Sequence, residues 1–200
     1  KHDRQILLDT PFQLRNLAGM ASGNWIIAAD RQRGKSCALA QLIYQRTQQR
    51  EDRRMYGVVP IVLSFRNEIY RRTTASELFA ALTPLMTEDK ILLCLDDVDL
   101  LDGWPQLLTM AAVAAPNIEI LATMSTHSAR QITGNTELRD KFNIKDLADF
   151  TLHEYLRVSK LSYNEALNRF IRRGGFPGVL LSAKRHTESL ERLFRTLFYE

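Results

Sequence analysis

No apolar run in this 200-residue sequence approaches the ~20 residues that a membrane-spanning helix needs, and the opening Lys1-His2-Asp3-Arg4 lacks the apolar stretch of a signal peptide. The expectation is a cytoplasmic protein with no membrane contact. Cysteine is scarce. Cys37 and Cys94 sit in apolar-periodic segments outside any metal-ligand spacing, so they read as small buried residues in a reducing compartment, and neither is a catalytic candidate. Charge of one sign is also in short supply: 27 basic residues against 23 acidic leave +4. The densest basic stretch, residues 46–54, is interrupted by Glu51 and Asp52 and carries no interleaved aromatics, so it reads as a solvated helix end rather than a nucleic-acid footprint. Internal repeats and low-complexity linkers are absent.

What is present is ordinary globular material, 45% hydrophobic and 25% charged, in a length that suits one α/β core with a small satellite. The chain starts without Met and ends on Phe198-Tyr199-Glu200 directly after a helical pattern, which reads as a piece of something longer with partner domains beyond it.

Along the chain, Thr10 as N-cap and Pro11 at the first helical position, with Phe12, Leu14, Leu17 and Ala18 following, predict a short helix over 11–20. Continuous apolar runs predict buried strands at 25–28, 58–65, 90–96 and 118–124, with a last strand at 144–151. Helical spacing predicts helices at 37–49, 74–86 and 105–115. Alternating strands and helices argue for a parallel sheet flanked by helices. From residue 152 onward only helical patterns appear, at 154–157, 163–171, 177–184 and 189–199. The expected organisation is therefore an α/β domain over 1–151 and a small C-terminal helical lid over 152–200.

The strongest chemical signal is Ala29-Asp30-Arg31-Gln32-Arg33-Gly34-Lys35-Ser36, which fits GxxxxGK[ST] except at its first glycine. A loop between a strand and a helix N-terminus presents backbone N–H groups to phosphates, a lysine reaches the β and γ oxygens, and a hydroxyl binds Mg²⁺. Lys35 and Ser36 fill the last two roles, and Gly34 permits close backbone approach. The nucleotide-contacting set is Ala29, Asp30, Arg31, Gln32, Arg33, Gly34, Lys35, Ser36 and Cys37. Ala29 is the least damaging replacement for the missing glycine.

A second signal is the strand Ile91-Leu92-Leu93-Cys94-Leu95-Asp96-Asp97, apolar until it ends in paired acids. In a P-loop NTPase the first, Asp96, holds Mg²⁺, while Asp97 orients or deprotonates the attacking water. The strand at 118–124 turns polar at its end, where Thr123 or Ser125 can meet the γ-phosphate or the water, and Ser125 joins the catalytic candidates. His127 reads as a loop histidine.

In this order, the phosphate loop, the run Leu95-Asp96-Asp97-Val98-Asp99, the segment Phe150-Thr151-Leu152-His153-Glu154-Tyr155-Leu156 and Gly174-Gly175-Phe176-Pro177 resemble the prokaryotic AAA+/STAND-type ATPases of the additional-strand class. The resemblance implies ATP and Mg²⁺ as ligands and a switch or assembly role inside a larger protein, with an oligomer possible. It carries Gly175 and Pro177 over as lid residues near the base, and Arg139, or else Arg130, as an arginine acting on a neighbour's γ-phosphate. Thr10-Pro11-Phe12-Gln13 also resembles the adenine-reading motif of helicases and terminases, which keeps a nucleic-acid motor open, as Ala29 and Asp97 keep open a scaffold that does not hydrolyse.

Overall fold

The computed structural model describes residues 15–48, 58–86, 90–114 and 118–180. Five strands form one sheet: β1 (Trp25–Ala28), β2 (Val59–Ser64), β3 (Ile91–Asp96), β4 (Ile118–Met124) and β5 (Asn143–Asp146). Their order is β2-β3-β4-β1-β5, and every pairing is parallel. β4 thus lies between the strand that feeds the phosphate loop and the strand that ends in Asp96. This additional strand defines the arrangement. Because all strands run the same way, Ala28, Asp96 and Met124 end at one edge of the sheet.

The helices are α1 (Lys35–Gln48), α2 (Glu68–Arg72), α3 (Ala75–Leu82), α4 (Trp104–Ala114), α5 (Thr126–Gly134), α6 (Thr136–Arg139), α7 (Leu152–Ser159), α8 (Tyr163–Arg173) and α9 (Pro177–Leu180). The pleat of β3 shows how they cover the sheet. Leu93 and Leu95 face a layer built with Leu78, Leu107 and Ile132, while Leu92 and Cys94 face a layer built with Ala38, Leu39 and Leu42 of α1. Both faces of β3 are dry, so its apolar run is continuous, as buried parallel strands require. Burial pushes the Cys94 thiol up to about 12, with Glu119 adding to the effect, and the thiol is inert at neutral pH. β2 lies at the edge, where Pro60 costs no ladder hydrogen bond. A separate small core joins Phe150, just ahead of α7, with Tyr155, Ala166 and Leu180 of the last helices.

Several expectations need correction. Residues 15–20 are not helical, and 11–14 lie outside the described residues. Leu17 and Met20 instead pack onto the α1 face of the sheet, and the Gln41 side chain takes both backbone groups of Arg15 at 2.9 Å each. Their spacing reflects that packing surface rather than a helical period. The last strand stops at Asp146. Beyond it the Ala148 carbonyl accepts from Arg15, and the Phe150 N–H goes to the Gly175 carbonyl at 3.1 Å, which takes this backbone out of the ladder. His127 lies on α5 and not in a loop. Helices expected beyond residue 180 fall outside the described residues.

Candidate functional site

Ala29 prolongs β1 by one step, its N–H donating to the Met124 carbonyl at 3.2 Å. The loop then turns through Gln32 and Gly34, at φ 62° and 88° respectively. Ala29 is not among the positive-φ residues, so a methyl group there meets no backbone penalty. That explains how the motif survives without its first glycine. Asp30 and Arg31 are exposed, Gln32, Arg33 and Gly34 half-buried, and Cys37 sits half-buried in the first turn of α1. Lys35 opens that helix with only 6% of its surface exposed. Its Nζ donates to the carbonyls of Ala29 at 2.9 Å and Asp30 at 3.4 Å, and stands 3.5 Å from Asp97 Oδ1. The ammonium is folded into the mouth of the loop.

Asp96 ends β3 with its carboxylate ringed by hydroxyls: Ser36 Oγ is 3.0 Å from both oxygens, Thr123 Oγ1 donates at 2.8 Å, and Ser64 Oγ at 3.4 Å. A buried carboxylate beside a serine hydroxyl, with oxygen the only donor type, fits a small hard cation. Among the described residues there is no cluster of three or more His, Cys, Asp and Glu, so a cation here would complete its shell from phosphate or water.

Asp97 follows in the left-handed region, φ 52° and ψ 49°, a conformation aspartate tolerates better than most residues. Its N–H donates to Thr123 Oγ1 at 2.8 Å, so one threonine hydroxyl fixes both acids. The Asp97 carboxylate lies between Lys35 and Arg66, whose Nε donates at 2.6 Å. Partial burial pulls the Arg66 guanidinium down, but the hydrogen bond and charge of Asp97, with Asp96 behind it, leave it raised on balance.

Ser125 sits at the end of β4, yet its hydroxyl caps α5, accepting from the Ser128 N–H at 3.1 Å, and its own N–H goes to Asp99 at 2.9 Å. Thr123 is the residue of the two that touches the acids. Arg139 ends α6 on the exposed surface and pairs with Asp140 at 3.2 Å. Arg130 is exposed on α5.

The segment Gly174-Gly175-Phe176-Pro177 meets the phosphate loop directly. A Cβ on Gly34 would stand 3.5 Å from Pro177 Cγ, and the Arg33 guanidinium lies over the Phe176 ring at 4.6 Å while pairing with Asp149. Two participants escaped the sequence reading. Arg66 falls just beyond the strand expected at 58–65 and was given no role, and Arg15, almost fully buried, carries no motif at all. Its partners Arg33 and Ala148 are 18 and 133 positions away, so no local pattern could mark it.

Residues 24–156 match the AAA domain family. The chain belongs to this family. Solved AAA-type structures share its fold. The RuvB Holliday junction branch migration motor of Thermotoga maritima matches with a TM-score of 0.55 and 18% identity over 88% of this chain and 56% of its own. The ORC1 protein of Aeropyrum pernix, solved in complex with DNA, gives 0.54 and 14% over 82% and 48%. AMPPCP-bound DnaA from Aquifex aeolicus gives 0.52 and 14% over 98% and 65%. At these identities the likeness is one of fold, and the chain spans about half the length of the RuvB and ORC1 structures. No curated protein resembles it in sequence at a significant level. As an AAA domain it has the five-stranded parallel sheet of the P-loop NTPases, with the loop and the paired acids at the carboxyl edge. No described helix is long and apolar enough to cross a membrane.

Proposed function

We propose that this AAA domain binds ATP with Mg²⁺ and hydrolyses it slowly, acting as a nucleotide-dependent switch or assembly module of STAND-like type inside a larger cytoplasmic protein. The observation that carries the reading is the convergence of Lys35 Nζ, Ser36 Oγ and the carboxylates of Asp96 and Asp97 at the mouth of one glycine-containing loop. Lys35 binds the terminal phosphates. The loop from Ala29 to Cys37 offers its backbone N–H groups to them at the start of α1. Ser36 and Asp96 would hold Mg²⁺, which when bound would neutralise developing charge on the phosphates. Asp97 orients the attacking water and accepts its proton. Thr123 keeps the two acids in register. Ser125 stays a candidate for the γ-phosphate if its capping bond opens, and Arg139, exposed, can act on a neighbouring copy's site in an oligomer.

Slow turnover is supported by Asp97 itself, a short carboxylate already engaged by Lys35 and Arg66. We assign residues 1–151 to the nucleotide-binding domain and 152–200 to a lid, a division supported by the separate core around Tyr155 and by Pro177 lying against Gly34. A second reading, a nucleic-acid-dependent motor, draws on the likeness to the RuvB branch migration motor and to ORC1 solved with DNA.

Steady-state ATP hydrolysis with and without DNA separates these readings. The switch predicts a slow rate that DNA does not raise, reduced further by Asp97→Asn with ATP binding retained. A rate strongly stimulated by DNA favours the motor. Undiminished hydrolysis in Asp97→Asn removes Asp97 from the chemistry, and no hydrolysis with intact binding leaves an ATP-binding scaffold.

A further inference from the structure

We propose that Arg15 is a positioning residue for nucleotide binding, one that sets the phosphate loop and the helical lid together. The inference rests on the ATP-binding reading above. Arg15 is only 4% exposed, and a buried guanidinium is stable only where its donors are met. Nη1 donates to the Arg33 carbonyl at 2.7 Å, Nη2 to the Ala148 carbonyl, and Nε stands 3.3 Å from Glu154 Oε1 without hydrogen-bond alignment. The guanidinium also lies 5.5 Å from the centroid of the Phe150 ring. Burial lowers the pKa of the group, with Glu154 opposing.

The contact with Arg33 reaches the loop's working atoms. A trans peptide is planar and its C=O and N–H point to opposite sides, so holding the Arg33 carbonyl on Arg15 directs the Gly34 N–H away from Arg15. That N–H belongs to the phosphate-binding set. The other contacts reach the lid. Glu154 accepts the Asn16 N–H at 3.0 Å, and in the capping box that starts α7 it also accepts from Thr151. The Arg15 backbone is itself anchored to Gln41 of α1. One planar side chain therefore joins the loop, the exit from β5 and the first turn of α7. A lysine cannot substitute: its single ammonium cannot donate along two fixed in-plane directions and lie against a ring.

The test uses the full chain, Mg²⁺-ATP as probe, and the variants Arg15→Lys and Glu154→Gln. Calorimetry gives affinity, and hydrogen exchange over residues 150–156 at saturating ATP gives the lid's response. Arg15→Lys should weaken ATP binding about tenfold, the worth of one charged hydrogen bond. It should also lose the ATP-induced change in exchange at 150–156 even when the loop is filled, which a merely structural role would leave intact. Glutamine still serves at the third position of a capping box, so Glu154→Gln keeps α7 while cutting the ion pair, and should blunt the same response. Should Arg15→Lys fail to fold, Glu154→Gln decides alone. Parental exchange responses in the folded variants overturn the proposal while leaving ATP binding in place. A parent chain that takes up no ATP overturns the nucleotide reading, and this inference with it.

Discussion

Two cations compete for the carboxylate that the proposed mechanism needs free. Asp97 is 3.5 Å from Lys35 and 2.6 Å from Arg66, and any ligand that draws Lys35 toward phosphate leaves Arg66 as its remaining restraint. Arg66 is 65% exposed at its side chain, so the pair is a solvent-screened one worth ~0.5–1 kcal/mol. Arg66→Ala should therefore raise ATP turnover roughly two- to fivefold with little change in ATP affinity. A steady-state rate that stays level or falls would mean that Arg66 supports Asp97 rather than restraining it. At this scale the sequence singles out residues that lie in contiguous motifs, and the structure sets two of its candidates, Ser36 and Lys35, against the paired acids Asp96 and Asp97. Arg66 and Arg15 were not singled out, because each owes its position to residues far along the chain. Thr123 and Ser125 could not be told apart by type or spacing. The fold separates them by handing Ser125 to the α5 cap.

Among the elements, the strands buried on two faces were legible and three helices with little apolar periodicity were not. β1, β3 and β4 appear at or within a residue of their expected bounds, since a run such as Ile91-Leu92-Leu93-Cys94-Leu95 has no other soluble use. α2, α5 and α6 went unseen. α2 and α6, 5 and 4 residues long, are too short to impose a helical period, and α5 buries only Ala129 and Ile132 along its 9 residues. Residues 15–20 failed the other way, because apolar residues of an irregular stretch that packs in the same layer as α1 can mimic helical spacing. The Gly174-Gly175 turn is sterically constrained. A Cβ on Gly175 would stand 2.9 Å from the Phe150 carbonyl oxygen, which is itself backbone and cannot rotate away. Gly175→Ala should cost about 1–3 kcal/mol in denaturant unfolding, as overpacking does, and loosen the fit of Phe176 and Pro177 on the loop. Unchanged stability would mean that this approach relaxes freely.

Across the whole molecule, the parallel order β2-β3-β4-β1-β5 brings the phosphate loop, the paired acids and the Thr123 hydroxyl to one edge, and the helical segment comes to that same edge through Pro177 and Phe176. The sheet's existence could be read from the sequence, but its strand order depends on which crossovers the connecting helices take, which no local pattern records. This edge is proposed as an ATP site whose phosphate-binding cation is Lys35. Calorimetric titration of the chain and of Lys35→Ala with ATP and Mg²⁺ tests it most directly. Losing a charged contact to phosphate at a buried position costs ~3 kcal/mol, so the variant should bind roughly a hundredfold more weakly while keeping its fold. Equal affinities in parent and variant would contradict the assignment of the loop.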